Sequence, residues 1–213
     1  MRALIFANGD APDERVIKRW LDAAALIIAA DGGARNALSI GVMPQIVIGD
    51  LDSLHPADRL QLEQAQAQFI VYPAHKDYTD LELAIRHALE RGATDIVIVS
   101  ALGGRWDQSL ANMLLLTLPE LQNVPTRIVD HRESITVIRD RAEIAGRAGD
   151  TLSLIALRGD AHGVSIDGCE YPLREAILPF GATLGISNVL IEPVATVTVQ
   201  DGIVLAIHTT RDE

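Results

Sequence analysis

Carboxylates recur in three short clusters: Gly49-Asp-Leu-Asp-Ser53, Lys76-Asp-Tyr-Thr-Asp80 and Gly103-Gly-Arg-Trp-Asp-Gln108. Carboxylates aimed into one crevice repel each other unless a cation sits among them, and all-oxygen donors suit Mg²⁺. An arginine beside such a cation points to phosphate. In the first cluster, Asp50 and Asp52 are two apart, so an extended turn lets both reach one ion; an Asx turn or a helix cap explains the pair equally well. In the second, Asp77 and Thr79 precede a helix whose free N–H groups suit phosphate, with Lys76 nearby, and Asp80 offers a metal ligand. Taken alone, that segment reads as a helix start with Asp80 favouring the helix dipole. In the third, two glycines permit close backbone approach and Arg105 can fork onto phosphate oxygens. Asp107 can fix that guanidinium or touch metal, Gln108 can read a polar group, and Trp106 is expected in the core. A fourth segment, Ala30-Asp-Gly-Gly33, places Asp31 at a strand end, where an acid can contact ribose or a phosphate-bound water, unless Gly32 and Gly33 simply permit a tight bend.

These clusters must stand at the ends of strands. Residues 3–7, 26–30, 46–48, 69–72, 96–100 and 127–129 are short apolar runs that predict strands buried on both faces. Helices are predicted between them at 13–21, 34–40, 56–66, 80–90 and 108–116. Such alternation predicts an α/β, doubly wound, mainly parallel sheet over residues 1–132. Each acidic cluster then follows a strand, and strand ends of an open sheet converge on one crevice. After Arg132 short β runs take over, at 134–138, 143–145, 151–156, 163–166, 190–192, 195–199 and 203–208. They predict an antiparallel β-sandwich or jelly-roll-like domain over 133–213, with Asp201-Gly202 turning a hairpin.

Other chemistries find little support. Neither G-x-G-x-x-G nor G-x-x-x-x-G-K-[ST] occurs. The six histidines lack zinc spacing and are expected at the surface or in caps. Cys169, the single cysteine, reads as a buried structural thiol and a reducing cytoplasm as its setting. Ser109 and Ser187 lack the nucleophile-elbow context. A net charge of −11 and 4% aromatic content disfavour a nucleic-acid or anionic-membrane surface. No apolar run approaches a membrane span, and the first residues read as strand and turn without a signal-peptide cleavage pattern.

In combination and in this order, Ala30-Asp-Gly-Gly33, Gly49–Ser53, Lys76–Ala84 and Gly103–Gln108 resemble the thiamine pyrophosphokinase family, with Gly185-Ile-Ser-Asn188 a looser match. The resemblance implies transfer of pyrophosphate from ATP to the thiamine hydroxyl, giving thiamine diphosphate and AMP. It implies Mg²⁺ on Asp50, Asp52 and Asp80, and ATP contacts from Asp31, Gly32, Gly33, Lys76, Asp77, Thr79, Arg105 and Gln108. Arg105 and Asp107 would join the three metal-site aspartates in catalysis, with Asp80 or Asp107 taking the hydroxyl proton. Ser187 and Asn188 would lie near thiamine, and a homodimer would place each active site between the α/β domain of one subunit and the β domain of its partner. Two departures stand out. Eukaryotic members use a C-terminal tryptophan against the thiamine rings, whereas this chain has only Trp20 and Trp106. Lys76 also stands where those members often carry glutamine. Rival readings are a diphosphokinase acting on another alcohol such as a hydroxymethylpterin, a Mg²⁺-dependent phosphatase with Asp50 as nucleophile, and a nucleotide sensor without turnover.

Overall fold

The computed structural model describes residues 1–211. The chain divides into two compact units, Met1–His131 and Arg132 onward. In the first, strands β1 (Arg2–Phe6), β2 (Leu26–Ala30), β3 (Ile46–Gly49), β4 (Gln68–Val71), β5 (Asp95–Val99) and β6 (Thr126–Asp130) alternate with helices α1 (Glu14–Leu21), α2 (Gly33–Ser39), α3 (Pro56–Gln64), α4 (Asp80–Glu90) and α5 (Trp106–Leu115). The strands run in the order β6-β5-β1-β2-β3-β4, every pair parallel. Leu4, Ile5, Phe6, Ile96 and Ile98 are fully buried, which is why the central strands read as unbroken apolar runs. Each such side chain stabilises the fold by roughly 1.5–3 kcal/mol.

Helix starts are written locally. The Asp13 carboxylate accepts the Arg15 N–H at 2.9 Å, His55 Nδ1 accepts the Ala57 N–H at 3.3 Å, and Thr79 Oγ1 accepts the Glu82 N–H at 3.2 Å. A cap of this kind is worth about 1 kcal/mol. From β1 the chain steps outward through β2, β3 and β4, then returns to lay β5 on the other side of β1. Loops after β1 and β5 therefore diverge, and a crevice opens at that switch point.

The second unit holds β7 (Glu133–Ile138), β8 (Arg141–Ala145), β9 (Thr151–Ala156), β10 (Ala161–Asp167), β11 (Leu173–Leu178), β12 (Asn188–Val189), β13 (Val194–Thr198) and β14 (Val204–Thr209). Two antiparallel sets form, β12-β9-β14-β7 and β11-β10-β13-β8. Leu152, Leu154, Val204 and Ala206 from one set and Val164, Ile166, Ala195 and Val197 from the other share a single core, as a sandwich requires.

Several expectations need correction. Asp201-Gly202 does not turn a hairpin: β13 pairs with β8 and β10, whereas β14 pairs with β7 and β9, so the turn carries the chain from one sheet to the other. The strand expected at 190–192 lies at Asn188–Val189, and Leu190 makes only an isolated bridge to Cys169. β11 escaped notice because its burial is irregular and Leu, Glu and Ala favour helix. Trp106 is 82% exposed rather than in the core, since α5 begins at that residue and turns it outward. Cys169 is buried as expected, and among the described residues no helix is long and apolar enough to cross a membrane.

His208 is also not a surface residue. It is buried in β14 with Nε2 3.0 Å from Asp150 Oδ2. Asp150 also accepts the N–H of Arg211 at 2.9 Å and of Arg147 at 2.8 Å. Burial works to raise the Asp150 carboxyl, but these two amides and the His208 ring outweigh it and hold the carboxyl below its ordinary value. A depressed carboxyl contributes stability above the unfolded-state value of about 3.9 and loses it as pH falls through the lower folded value. Asp150→Asn is expected to lower the melting temperature near neutral pH, by an amount equivalent to about 1–3 kcal/mol. It should also flatten the loss of stability on acidification, as thermal melts over an acid pH series would show.

Candidate active site

The crevice at the switch point has a volume of about 590 Å³. It is lined by the turns after β1, β2, β3 and β5 and by the start of α4, and α5 contributes Gln108, Ser109 and Asn112. Asp31, Asp50, Lys76, Thr79, Asp80, Arg105 and Gln108, all singled out from sequence, line it together. Gly32, Gly33, Asp52, Asp77 and Asp107 do not.

Local backbone geometry explains how the acids gather. Asp31 takes a left-handed conformation (φ 46°) and donates its N–H to Ile48 O at 2.7 Å, which ties the end of β2 to β3. Gly33 follows at the start of α2, where a Cβ would lie 2.1 Å from Phe6 O, so only glycine lets this helix start against β1. Gly49 (φ 156°) ends β3, and a Cβ there would meet Asp31 Cβ at 2.8 Å and Asp80 Oδ1 at 3.2 Å. The missing side chain is thus the space in which Asp31 and Asp80 approach. Leu51 is left-handed (φ 62°) and buried, so it anchors the turn while Asp50 on one side is half-buried and Asp52 on the other is exposed.

Oxygens of Asp31, Asp50 and Asp52 all lie within 4.8 Å of one another. Asp31 Oδ2 accepts the Ser53 hydroxyl at 2.5 Å, while buried Asp31 Oδ1 has no hydrogen-bond partner. Three close carboxylates with an orphaned buried oxygen form an all-oxygen donor set, which fits a small divalent cation. Asp80 stands apart from that trio. Its Oδ1 lies 3.0 Å from Lys76 Nζ, a charge contact outside hydrogen-bond alignment. Burial pushes the Asp80 carboxyl up, against the downward pull of Lys76. The neighbouring Asp50 side chain does the same to Asp52.

Arg105 and Asp107 form an exposed pair at the start of α5, with contacts of 2.6 and 3.2 Å, and the guanidinium holds the Asp107 carboxyl below its ordinary value. An exposed pair like this adds little stability, and Arg105 is free to exchange its carboxylate for phosphate oxygens. Ser109 Oγ bridges Gly103 N and O at 3.1 and 3.2 Å, and Asn112 donates to Ala101 O at 2.7 Å, so α5 fixes the loop that carries Arg105. Asn8 and Asp10 also line the crevice, and the sequence reading passed over them. Their signal was an acid beside glycine after an apolar strand, the same pattern that marked Asp31 and Asp50.

Ser187 and Asn188 belong to the second unit. Ser187 is exposed and left-handed (φ 61°), and its N–H donates to Ser153 Oγ at 3.0 Å. Asn188 is buried; its Oδ1 accepts the Tyr171 N–H at 3.0 Å and its Nδ2 donates to Tyr171 O at 2.7 Å. That amide is committed to backbone.

A parallel α/β unit with an acid-lined crevice at its switch point, followed by an antiparallel β unit, defines the class of protein. The family model described as thiamin pyrophosphokinase, catalytic domain, matches residues 17–128, and that described as thiamin pyrophosphokinase, vitamin B1 binding domain, matches residues 134–204. Thiamine pyrophosphokinase of Bacillus subtilis is 33% identical over 193 residues, spanning 90% of each chain. The crystal structure of thiamine pyrophosphokinase from Bacillus subtilis superposes with a TM-score of 0.89 at 30% identity, covering 100% of both chains. The fold extends to thiamin pyrophosphokinase from Candida albicans, with a TM-score of 0.82 at 18% identity over 98% of this chain and 88% of that one. The chain belongs to the thiamine pyrophosphokinase family.

The raised carboxyls of Asp52 and Asp80 carry a stability consequence. A carboxyl raised by folding is relieved below the unfolded-state value and penalised as pH rises through the folded one. Asp52→Asn is therefore expected to raise the melting temperature in EDTA near neutral pH. That gain should vanish below about pH 4, where the unfolded-state carboxyl is also protonated; melts at the two pH values check both.

Proposed function

We propose that this chain transfers a pyrophosphoryl group from ATP to the hydroxyl of thiamine, releasing AMP and thiamine diphosphate. The observation that carries this reading is the meeting of Asp31, Asp50, Lys76, Asp80 and Arg105 around one crevice in a chain of this family. Asp50, Asp52 and Asp80 would hold Mg²⁺, with Asp31 adjoining through its unpartnered oxygen. The ion, when bound, neutralises charge on the phosphate oxygens.

The chain's own groups supply the rest. Thr79 caps α4, and Thr79, Asp80 and Leu81 at its start line the crevice, where unpaired first-turn N–H groups would offer a polar edge for phosphate. Asp31 and Gln108 line the crevice and would offer polar contacts to the nucleotide, whereas Gly32 and Gly33 shape the turn behind Asp31 and Asp77 lies outside the lining. Arg105 stabilises charge that develops on the phosphate chain as the hydroxyl attacks the β-phosphorus in line and AMP leaves. Asp107 aligns that guanidinium. Of the two aspartates considered for the hydroxyl proton, Asp107 is the weaker base because Arg105 holds its carboxyl low, whereas burial raises Asp80 and makes it the better acceptor. Phosphoryl transfer asks little of such a base, since positioning and charge neutralisation contribute most of its acceleration.

Thiamine would meet exposed Ser187, while Asn188 acts by fixing the Tyr171 backbone. A homodimer with shared active sites is consistent with exposed Trp106, Leu110 and Leu114 one turn apart along α5, and with exposed Phe180, Leu184 and Ile186 ahead of Ser187. The buried free thiol of Cys169 suits a reducing cytoplasm.

The reading is tested by incubating the protein with Mg·ATP, with and without thiamine, and identifying products. AMP formed only with thiamine is the expected result. Orthophosphate alone would indicate the phosphatase, AMP with a different alcohol another acceptor, and unchanged bound ATP a sensor. Asp52→Asn and Arg105→Ala should each lower turnover by orders of magnitude, roughly 10²-fold or more, in protein whose circular dichroism matches the parent.

A further inference from the structure

Lys76 precedes α4, and its side chain is only 13% exposed. Its Nζ lies 3.0 Å from Asp80 Oδ1 and 4.0 Å from Asp50 Oδ2. Those two carboxylates come from separate segments, the turn after β3 and the start of α4. Four carboxylates (Asp31, Asp50, Asp52 and Asp80) gather around the ends of β2 and β3 and the start of α4, with one close ammonium. Without a cation from solution, that ammonium is the principal charge opposing their repulsion.

The contact is electrostatic more than directional. Asp80 Oδ1 has no aligned hydrogen bond, although an ammonium carries three donors. A lysine head held by charge alone is easily displaced, because its stem has four rotatable carbons and it lacks the fork that would lock an arginine. A divalent ion entering among Asp50, Asp52 and Asp80 would meet this ammonium at two of those three carboxylates. Repulsion between a divalent and a unit charge sharing oxygens far exceeds thermal energy, so the ion's arrival weakens the hold of these carboxylates on Nζ. Lys76 also lines the crevice, so a displaced Nζ has open space on the side where phosphate would lie.

We propose that Lys76 is the resident counter-ion of the metal-free enzyme. It holds Asp50 and Asp80 together until a divalent cation displaces it, and the released ammonium then engages the phosphate chain. The proposal rests on the pyrophosphokinase reading above. It makes Lys76 a coupling element: metal binding frees a phosphate ligand, and by reciprocity nucleotide tightens metal. It also separates this residue from a merely structural lysine, whose loss would lower stability equally at all Mg²⁺ concentrations and leave metal affinity unchanged.

The test is calorimetric titration of MgCl₂ into the full-length, metal-stripped protein without nucleotide, for the parent, Lys76→Gln, Lys76→Met and Lys76→Arg. The expected result is Mg²⁺ binding about tenfold tighter or more in the Gln and Met variants, and near-parental affinity in Lys76→Arg, which keeps the charge. Repeating the titration with saturating α,β-methylene-ATP should tighten Mg²⁺ binding in the parent and do so several-fold less in Lys76→Gln. In EDTA the Gln and Met variants should melt below the parent, with the deficit shrinking as Mg²⁺ is added. Unchanged or weaker Mg²⁺ affinity in folded Lys76→Gln overturns the proposal, as does nucleotide coupling equal to the parent's. Should the Met variant not fold, the Gln and Arg variants decide the matter. Thiamine-dependent AMP from the parent with unaltered Mg²⁺ affinity in the variants would remove the Lys76 role and leave the reaction intact. Tighter Mg²⁺ in variants of a protein that makes no AMP would do the reverse.

Discussion

Mutual repulsion among carboxylates governs the first unit. Two unit charges about 4 Å apart interact by roughly 4 kcal/mol at the effective dielectric of a partly buried site. The chain nonetheless gathers Asp31, Asp50 and Asp52 at one end of its sheet, with Asp80 beside them across Gly49. Such an arrangement persists only if the scaffold is stiffer than the repulsion is strong. The stiffness comes from β1, β2, β3 and β5, whose apolar side chains are almost entirely buried, and from turns locked by left-handed Asp31 and Leu51. Strain and like-charge contact concentrate where the polypeptide meets its ligands, and the cost is offset by the packed strands beneath.

The same constraint relates local features that look independent. Gly49 is bare because Asp31 and Asp80 need its space, and Gly33 because α2 must start against Phe6 O. Lys76 lies almost within the acidic group, and Arg105 stands exposed at the start of a different helix. The two cations thus divide the work by burial. One is neutralised inside the cluster, and the other is presented to solvent with only Asp107 to restrain it.

The second unit runs on different physics. Its two strand sets share one apolar core, and Asp150 lies buried against His208 with its carboxylate satisfied by backbone amides. Sequence alternation does not reveal such a pair, because a histidine 58 residues away in the chain carries no local sign of its partner. The β13–β14 turn misleads for a related reason: Asp-Gly favours reversal of the chain, but which strand lies alongside is set by the sheet that each strand's apolar face can join.

What the sequence determined by itself was whatever depends on neighbours within a few residues. Unbroken apolar runs marked β1, β2, β3 and β5 because both faces of a parallel strand are buried, and Thr79 and Asp80 marked the start of α4 because unpaired N–H groups need acceptors. Acid and glycine after each strand pointed to one crevice, since parallel strands deliver their ends to the same edge. Tertiary structure decided what depends on distance through space. It brought Asp31 rather than Asp80 into the closest carboxylate trio, set Lys76 between Asp50 and Asp80, turned Trp106 outward, buried His208 against Asp150, and sent β13 and β14 to different sheets. Periodicity and capping act over one or two turns of chain. Charge, burial and sheet pairing act between segments that only folding makes neighbours.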